Sequence, residues 1–592
     1  MLLGLELDAW ITIATLVALM AVLVFTRLRS DVVFLGAVGI LFLTGVLDST
    51  QAFSGFINSS VIVVAAMFVI GTGLSYTGVL QWITRNVLGR PKGEIAALLR
   101  LMLPVGTLSV FVNNTSVVAL FVGVVKLWSR KIGIKPSKLL IPLSYAGGMG
   151  GPLAAIATPT TLLLFGMYEK QTGESLGILA SFLPALLCFA ATTLALIIFR
   201  GLLPDRNSPE EAFAPTGDYT FEMLVTSDNP HIGKTIGELG LNRVQAGTLV
   251  ELKHFDNEKR IMPVDDNEPL MGGDSLIFSG QLDDMAELAK KLGFVSPDQP
   301  VLSVDAPHAG RQIKMAYVCF GSDLIGKRLG DTRFEHDHGV ALAGVSRKGE
   351  RICESPRNVV LQAGDTLLLV HPLHTKVNTA ALASQLHFFD STEIPVWGIK
   401  PLISTAILLC MVLLASTGVM SLLQSAFLAA GAMLVFRCCT PTQAMNSINW
   451  KIIITLAGGI AISTAIQKTG VADYVATGVF GLCGNNPLLV LIAFCVMAAI
   501  ITEFMANSSV IVLMFPIVYA ATASLGLPLL PYAIALLLSV NSAFMTLVST
   551  PLNLLVYGPG GYTAKDYLRI GLPLKLVYLA TTIITVYFFY DI

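Results

Sequence analysis

The chain has 592 residues, of which 54% are hydrophobic and 13% are charged, and its net charge is −1 at pH 7. A composition this apolar, with a mean hydropathy of +0.72, is typical of membrane proteins. The charge balance gives no indication of nucleic-acid binding. The eight cysteines show no Cys-x-x-Cys or Cys/His ligand spacing, and the apolar stretches contain no nucleophile–base arrangement, so the sequence indicates neither a metal centre nor an enzyme.

The charged side chains are concentrated in the middle of the chain. Residues 205–393 hold 46 of the 77 charged side chains, and all eight histidines lie between His231 and His387. We therefore predict two membrane blocks, residues 1–204 and 393–592, with a soluble insert between them.

The first block begins with an apolar run at 8–26 that lacks the basic start of a signal peptide, so we predict a first membrane span there. Farther along, two apolar runs are separated only by Asn113-Asn114. A break of two residues is too short to cross a headgroup layer. We therefore predict that residues 95–128 form a re-entrant hairpin with its tip at mid-membrane. The apolar runs lie near 8–26, 32–47, 60–81, 95–112, 115–128, 138–168 and 175–202.

The run at 138–168 is too long for one plain helix, and it contains the polar sequence Thr158-Pro159-Thr160-Thr161. Proline and small residues within such a run favour a break. We therefore predict a broken helix at 138–168, which completes five full crossings in this block.

The insert is predicted to contain two small α+β domains, at 218–295 and 311–392. Both copies carry short alternating strands, a charged turn and a Gly-Asp turn, at Gly273-Asp274 and Gly364-Asp365, before a last hydrophobic strand. The linkers are expected at Pro204–Gly217 and Ser296–Gly310, which are rich in Pro, Asp and Ser.

The second block repeats the pattern of the first, with a hairpin predicted at 487–523 and a broken helix at 527–557. Its tip reads Ala506-Asn507-Ser508, and its break reads Thr550-Pro551-Leu552-Asn553. Asn507 follows Asn114 by 393 residues, and Thr550 follows Thr158 by 392. Polar side chains that recur inside apolar, membrane-spanning sequence indicate a ligand site. Burying such groups in the bilayer costs free energy unless they face protein, water or substrate.

An odd number of crossings in each block makes the two blocks an inverted repeat. Basic residues are frequent in the loops on one side, whereas the opposing loops contain only Lys170 and Lys468. The positive-inside rule then places the insert in the cytoplasm and both termini outside.

These motifs resemble those of the divalent anion–sodium symporter family, the sodium-coupled sulfate and carboxylate transporters. Members carry Ser-Asn-Thr at each hairpin tip and Gly-Thr-(small)-x-Asn in each broken helix, to which Ser549–Asn553 is similar. Thr502-Glu503-Phe504 and Gly558–Tyr562 also fit, and the likeness covers about 400 residues of both blocks. The insert resembles two TrkA C-terminal-type regulatory domains.

Three positions depart from the family pattern. Ala506 removes a hydroxyl from the second tip, and Ala157 replaces a glycine in the first broken helix. Thr161 stands where the family has asparagine, which removes one amide oxygen and predicts that the two cation sites are not equivalent.

The resemblance implies a symporter of a small divalent anion, with sulfate or a similar oxyanion ahead of C4-dicarboxylate or citrate. Sodium is a hard cation that takes oxygen ligands, whereas the anion needs N–H and O–H donors and helix N-termini. The expected sodium ligands are Asn114, Thr158, Thr161, Asn507, Thr550 and Asn553. The expected substrate-binding residues are Asn113, Asn114, Thr115, Asn507, Ser508, Thr158, Thr550 and Pro551.

The resemblance also implies a homodimer in a bacterial inner membrane and a nucleotide or cation ligand at the TrkA-type domains. Two other interpretations stay open at this point. A channel gated by the TrkA-type domains is one, although no selectivity-filter sequence is present. A proton-coupled anion exporter on a related fold is the other. Interhelical hydrogen bonding by the Asn and Thr side chains is the structural alternative to a ligand site.

Overall fold

The computed structural model describes the chain apart from a set of short segments, about which nothing further is said. These are residues 1–5, 27, 80–87, 157, 207–217, 244–246, 256–259, 282–287, 296–301, 304–310, 320–321, 333, 348–349, 353–355, 373–384, 389–398, 484–485, 548 and 591–592. The described part is mostly helical, with strands only between residues 218 and 388.

Both predicted membrane blocks are built from apolar helices. The first block contains Leu7–Phe25, Ser30–Leu43, Ser49–Ile57, Ser59–Tyr76, Glu94–Leu108, Asn114–Ile132, Leu140–Gly150, Pro159–Thr172 and Phe182–Ile198. The second contains Lys400–Ser416, Leu422–Val435, Pro441–Ser447, Trp450–Lys468, Val471–Cys483, Pro487–Ile501, Asn507–Leu525, Leu529–Val540, Pro551–Gly560 and Ala564–Phe589. Within the described part, five helical stretches are long and apolar enough to cross a membrane: Ser49–Tyr76, Phe182–Leu202, Trp450–Lys468, Asn507–Leu525 and Ala564–Phe589.

Local capping explains where several of these helices begin. Asp48 accepts a hydrogen bond from the Gln51 N–H in a capping box, and Thr440 does the same with Gln443. Each box satisfies two of the four N–H groups that a helix start leaves without an intrahelical partner. The two boxes are 392 residues apart in the sequence, so the local start signals recur along with the polar motifs.

Small residues allow the helices of the two blocks to approach closely, as is usual in membrane proteins. A Cβ atom on Gly55 would lie 2.0 Å from the carbonyl oxygen of Ala457. A Cβ atom on Gly150 would lie 2.4 Å from the carbonyl oxygen of Gly106. Both glycines therefore have no room for a larger side chain in this packing.

The insert contains two five-stranded sheets with the same strand order. The first is built from β1 (Asp218–Leu224), β2 (Gly247–Lys253), β3 (Arg260–Ile261), β4 (Ser275–Gln281) and β5 (Leu302–Ser303). The second is built from β6 (Arg311–Val318), β7 (Ala341–Arg347), β8 (Glu350–Arg351), β9 (Thr366–Pro372) and β10 (Leu386–Phe388). The orders are β3-β2-β4-β1-β5 and β8-β7-β9-β6-β10, and every described pairing is antiparallel.

Two features of the insert were not evident from the sequence. β5 pairs with β1 through Tyr219 and Thr220, so the first sheet extends beyond the expected boundary at residue 295, into the expected linker. The two sheets also contact each other, because Val250 of β2 packs in one apolar cluster with Ala341, Ala343, Leu368 and Val370 of the second sheet.

Candidate functional site

The first predicted tip lies in the turn between Glu94–Leu108 and Asn114–Ile132, which we call the first hairpin. Asn113 caps the second of these helices, and its Oδ1 accepts a hydrogen bond of 2.9 Å from the Thr115 N–H. Thr115 is exposed. The tip therefore presents a helix N-terminus, which is a ready site for an anion.

The second predicted tip joins Pro487–Ile501 to Asn507–Leu525, the second hairpin. Ala506 occupies the cap position and has no side-chain hydrogen bond to offer, which is the consequence expected of the lost hydroxyl. Asn507 is held within the protein instead. Its Oδ1 accepts from the Thr502 hydroxyl at 3.0 Å, and its Nδ2 donates to Asn541 Oδ1 at 3.4 Å.

The first broken helix consists of Leu140–Gly150 and Pro159–Thr172. A 3₁₀ turn at Gly151–Leu153 follows the first helix, and residues 154–156 and Thr158 lie outside helical structure. The Thr158 hydroxyl donates to the Gly151 carbonyl at 3.1 Å and lies 2.8 Å from the Thr161 hydroxyl. Ala157, one of the departures from the family pattern, lies outside the described residues.

The second broken helix consists of Leu529–Val540 and Pro551–Gly560, and proline is again the first residue of the second piece, where its missing N–H costs nothing. Thr550 caps this piece, with its hydroxyl accepting from the Leu552 N–H at 3.4 Å. Asn553 is fully buried and donates to the carbonyl oxygens of Ala543 and Thr546 at 3.3 and 2.9 Å.

The two halves meet crosswise at these four elements. Asn507–Leu525 of the second hairpin packs against Pro159–Thr172 of the first broken helix, and Asn114–Ile132 packs against Pro551–Gly560. The hydroxyls of Thr160 and Ser508 lie 3.5 Å apart across this contact. The structure therefore brings the tip of one half to the broken helix of the other.

Other contacts join further predicted residues to this centre. The Ser144 hydroxyl of the first broken helix donates to Asn553 Oδ1 at 2.7 Å. A Cβ atom on Gly151 would lie 2.9 Å from Asn114 Nδ2 and 2.5 Å from Thr158 Cγ2. The first tip and the first break are thus in close contact, and this contact requires glycine at position 151.

The two tip asparagines differ in one respect that matters for a cation. Asn114 Oδ1 is buried and has no hydrogen-bond partner, whereas Asn507 Oδ1 accepts from Thr502. A buried amide oxygen without a donor is costly unless a ligand satisfies it. Among the described residues no group of three His, Cys, Asp or Glu side chains could hold a metal ion.

A buried ion pair supports the second break. Glu503 and Lys575 are each 6% exposed, and Glu503 Oε1 lies 2.6 Å from Lys575 Nζ. Oε2 of the same carboxylate accepts from the Thr546 N–H at 2.9 Å. The pair therefore holds Thr546, four residues before Thr550, and it adds no net charge to the site.

Sequence reasoning assigned no site role to several residues of this centre, although it named Thr160 and Thr502 within its motifs. Thr160, Thr502, Asn541 and Lys575 each contact a predicted residue or its supporting segment. Asn541 could have been found, since it is an amide in the middle of an otherwise apolar run. Lys575 could have been found on the same ground, since it is a charged residue inside an apolar helix, whereas its pairing with Glu503, 72 residues away, could not.

The segment entering the insert is fastened to the loop after the second broken helix. Arg206 Nη1 donates to the Gly561 carbonyl at 2.7 Å and to Asp566 Oδ2 at 2.8 Å, and Nη2 donates to Asp566 Oδ1 at 3.2 Å. A bidentate arginine–carboxylate contact of this kind is stronger than an ion pair at the surface with a single hydrogen bond.

Replacing Arg206 with alanine is expected to lower the free energy of unfolding by about 1 kcal/mol, because the contact is only partly screened by solvent. Thermal unfolding of the purified protein measures the change. Lys135→Ala is the matched control, since Lys135 pairs with Asp205 where both side chains are about half exposed. An equal loss of unfolding free energy in both variants would mean that the Arg206–Asp566 contact contributes no more stability than an exposed ion pair.

Comparison with known proteins agrees with this architecture. The family model for citrate transporters matches residues 20–454 and 411–591. An uncharacterized transporter of Synechocystis is 28% identical over 98% of this chain and 97% of its own length. Sodium/sulfate cotransporter 2 of Chlamydomonas reinhardtii is 22% identical over 89% of this chain and 83% of its own.

A shorter match links the chain to carboxylate transport. The sodium-dependent dicarboxylate transporter of Staphylococcus saprophyticus is 23% identical over 25% of this chain and 28% of its own length. Because the family model covers nearly the whole chain, the protein belongs to the citrate transporter family of divalent anion–sodium symporters: it is a multi-pass membrane transporter of a small anion and not an enzyme.

Proposed function

We propose that this protein is a sodium-coupled symporter of a small divalent anion, with sulfate ahead of C4-dicarboxylate and citrate. The observation that carries the proposal is the crosswise meeting of two hairpin tips and two broken helices, at which Ser508 reaches Thr160. Such discontinuous helices supply the substrate and ion sites of many secondary transporters.

The repeated sequence supports alternating access between two oppositely oriented halves. Helices at Ser30–Leu43 and Leu422–Val435 begin 392 residues apart, and those at Asn114–Ile132 and Asn507–Leu525 begin 393 residues apart. A near-constant offset through the block is what an internal repeat produces, and five crossings in each copy would invert one copy relative to the other.

The charges near the site favour sodium dependence. Lys575 is neutralised by Glu503 at 2.6 Å, so it does not provide free positive charge for a divalent anion. Sodium held by Asn114 Oδ1 and the hydroxyls near Thr158 would supply that charge. The N–H group of Ser508 and the hydroxyls of Thr115 and Thr550 would orient the anion.

Sulfate is placed first because of the extent of the likeness. The Chlamydomonas sodium/sulfate cotransporter matches 89% of this chain, whereas the dicarboxylate transporter matches 25%. The insert itself is proposed to be a pair of cytoplasmic TrkA C-terminal-type regulatory domains, in a homodimeric protein of a bacterial inner membrane with both termini outside.

Uptake into proteoliposomes tests this function. We expect labelled sulfate to accumulate under an inward sodium gradient and to stay near background in choline, because sodium is proposed to supply the positive charge at the anion site. Succinate and citrate are the parallel substrates. Faster uptake of either than of sulfate would reverse the order of substrates, and uptake that follows a pH gradient and ignores sodium would overturn sodium coupling.

A binding measurement separates the anion from the cation. A ligand that binds only the folded state stabilises it by mass action. We therefore expect sulfate to raise the unfolding temperature in sodium and to have no effect in choline, with monovalent nitrate as the matched anion. Stabilisation of the same size in choline would show that the anion binds without sodium.

A further inference from the structure

The second sheet of the insert contacts the helix that carries the second half of the proposed site. A Cβ atom on Gly364, in the Gly-Asp turn before β9, would lie 2.7 Å from the Tyr557 ring. In return, a Cβ atom on Gly558 would lie 3.1 Å from the ring of Tyr317 on β6. Each aromatic ring therefore lies directly against a glycine of the other element.

This contact is close to the proposed binding residues. Tyr557 follows Asn553 by four residues in the helix Pro551–Gly560, which is about one turn. A displacement at Tyr557 is therefore transmitted along a rigid helix to Asn553 and to its cap, Thr550.

The insert side of the contact is held firmly. Asp365 accepts from Arg347 through both carboxylate oxygens, at 2.8 and 2.7 Å. The Gly364 N–H donates to the Val318 carbonyl at 2.9 Å. Gly364 also has a φ of +85°, so glycine is favoured there both by the backbone and by the neighbouring ring.

The first sheet allows a comparison, because its Gly273-Asp274 turn is contacted by a different kind of neighbour. A Cβ atom on Gly273 would lie 2.9 Å from Phe255, a residue of the same sheet's own domain. Phe255 is 74% exposed. The nearest neighbour of the Gly-Asp turn is thus a helix of the second membrane block in the second sheet, and a residue of its own domain in the first sheet.

We infer that the second sheet is an autoinhibitory clamp on Pro551–Gly560, an inference that rests on the proposed transport function. Tyr317 is 6% exposed in this contact, and movement of the helix relative to the insert has to separate the two rings from their glycines. The clamp adds to the barrier for that movement and slows transport. Movement of the insert, for example on ligand binding, releases the helix.

The linker gives the clamp a second attachment to the same helix end. Arg206 holds Gly561, the residue directly after Pro551–Gly560. The helix Pro551–Gly560 is thus contacted on one side by the second sheet. At its C-terminal end it is contacted by Arg206, in the segment that leads into the first sheet. A rearrangement of the insert therefore changes the contacts of this helix.

Hydrogen exchange on the full-length protein in lipid nanodiscs, without substrate, tests the restraint directly. Tyr317→Ala is expected to raise the exchange rate of residues 551–561 by about fivefold or more. Gly558→Ala changes the other side of the contact and leaves the sheet intact, and it is expected to act in the same direction. Phe255→Ala removes the ring from the equivalent turn of the first sheet and is expected to change nothing in this segment.

Transport by the same variants tests the inhibition. The initial uptake rate of Tyr317→Ala and of Gly558→Ala is expected to rise by about fivefold, and the double variant is expected to equal the single ones because both remove one contact. Unchanged exchange in both variants would overturn the clamp, and faster exchange with unchanged or slower uptake would overturn the inhibition. Failure of the wild-type protein to transport the anion would overturn the proposed function, whereas the exchange comparison would still decide the clamp.

Discussion

Replacing Lys575 with methionine is expected to lower the free energy of unfolding by about 3–5 kcal/mol, because it leaves a buried carboxylate without its cation. Glu503 is 6% exposed, so water does not replace the lost partner. Thermal and denaturant unfolding of the purified protein measure the loss. We also expect uptake to fall, since Glu503 accepts from the Met545 and Thr546 N–H groups that shape the second break.

Two further variants separate charge from packing. Glu503→Gln together with Lys575→Met removes both charges, and it is expected to recover most of the lost stability, because neutral groups are far less costly to bury. Lys468→Met is the matched control: Lys468 donates to the Val46 carbonyl and to Gln51 but is exposed. A cost below about 1 kcal/mol is expected there.

The ion pair would be shown to be structurally unimportant if Lys575→Met and Lys468→Met lost equal stability. A double variant that regained stability but not uptake would give the pair a role in the site beyond holding the fold. In that case the charged carboxylate itself, and not only its hydrogen bonds to the second break, would be needed for transport.

The helix breaks and helix starts of the candidate site could be predicted from the sequence because their signals are local. Thr-Pro pairs at Thr158 and Thr550 lie in runs too long for one helix, and the structure breaks both runs before the proline. The Asn113 and Ala506 positions likewise mark the starts of helices. Each signal depends on the chain within a few residues, where capping and proline geometry decide the outcome.

The contacts that join distant segments could not be predicted in this way. Nothing near Thr160 indicates that it meets Ser508, and nothing near Tyr557 indicates a contact with Gly364. These pairings depend on how whole helices and sheets pack. The short strand at Leu302–Ser303 was missed for a related reason, since two residues cannot show an alternating pattern.

The asymmetry of the two halves was predicted at Thr161 but has a second origin in the structure. Thr161 lacks the amide oxygen of the family pattern, yet Asn114 nearby keeps an amide oxygen without a partner. In the other half Asn553 is present, but its amide donates to two carbonyls and accepts from Ser144. The first half, which matches the family pattern less well, therefore has the amide oxygen without a hydrogen-bond partner, Asn114 Oδ1.

Replacing Asn114 with alanine is accordingly expected to weaken sodium activation of uptake by about tenfold to a hundredfold. A hydrogen-bond or ligand contact to a charged group contributes about 1.5–3 kcal/mol, and each 1.4 kcal/mol corresponds to about tenfold in affinity. Because Asn114 Oδ1 has no protein partner, its removal costs no internal hydrogen bond at that atom. The sodium concentration for half-maximal uptake is the quantity to measure.

Asn507→Ala is the matched variant in the other half, and the contrast between the two decides the assignment. It removes the bonds to Thr502 and Asn541, so a loss of about 1–3 kcal/mol in unfolding free energy is expected with a smaller change in sodium dependence. Asn114→Asp keeps an oxygen at the site and is expected to retain more sodium affinity than Asn114→Ala. Equal sodium dependence in Asn114→Ala and the wild type would remove this oxygen from the cation site, and the first half would then have to bind sodium through Thr158, Thr161 and backbone carbonyls alone.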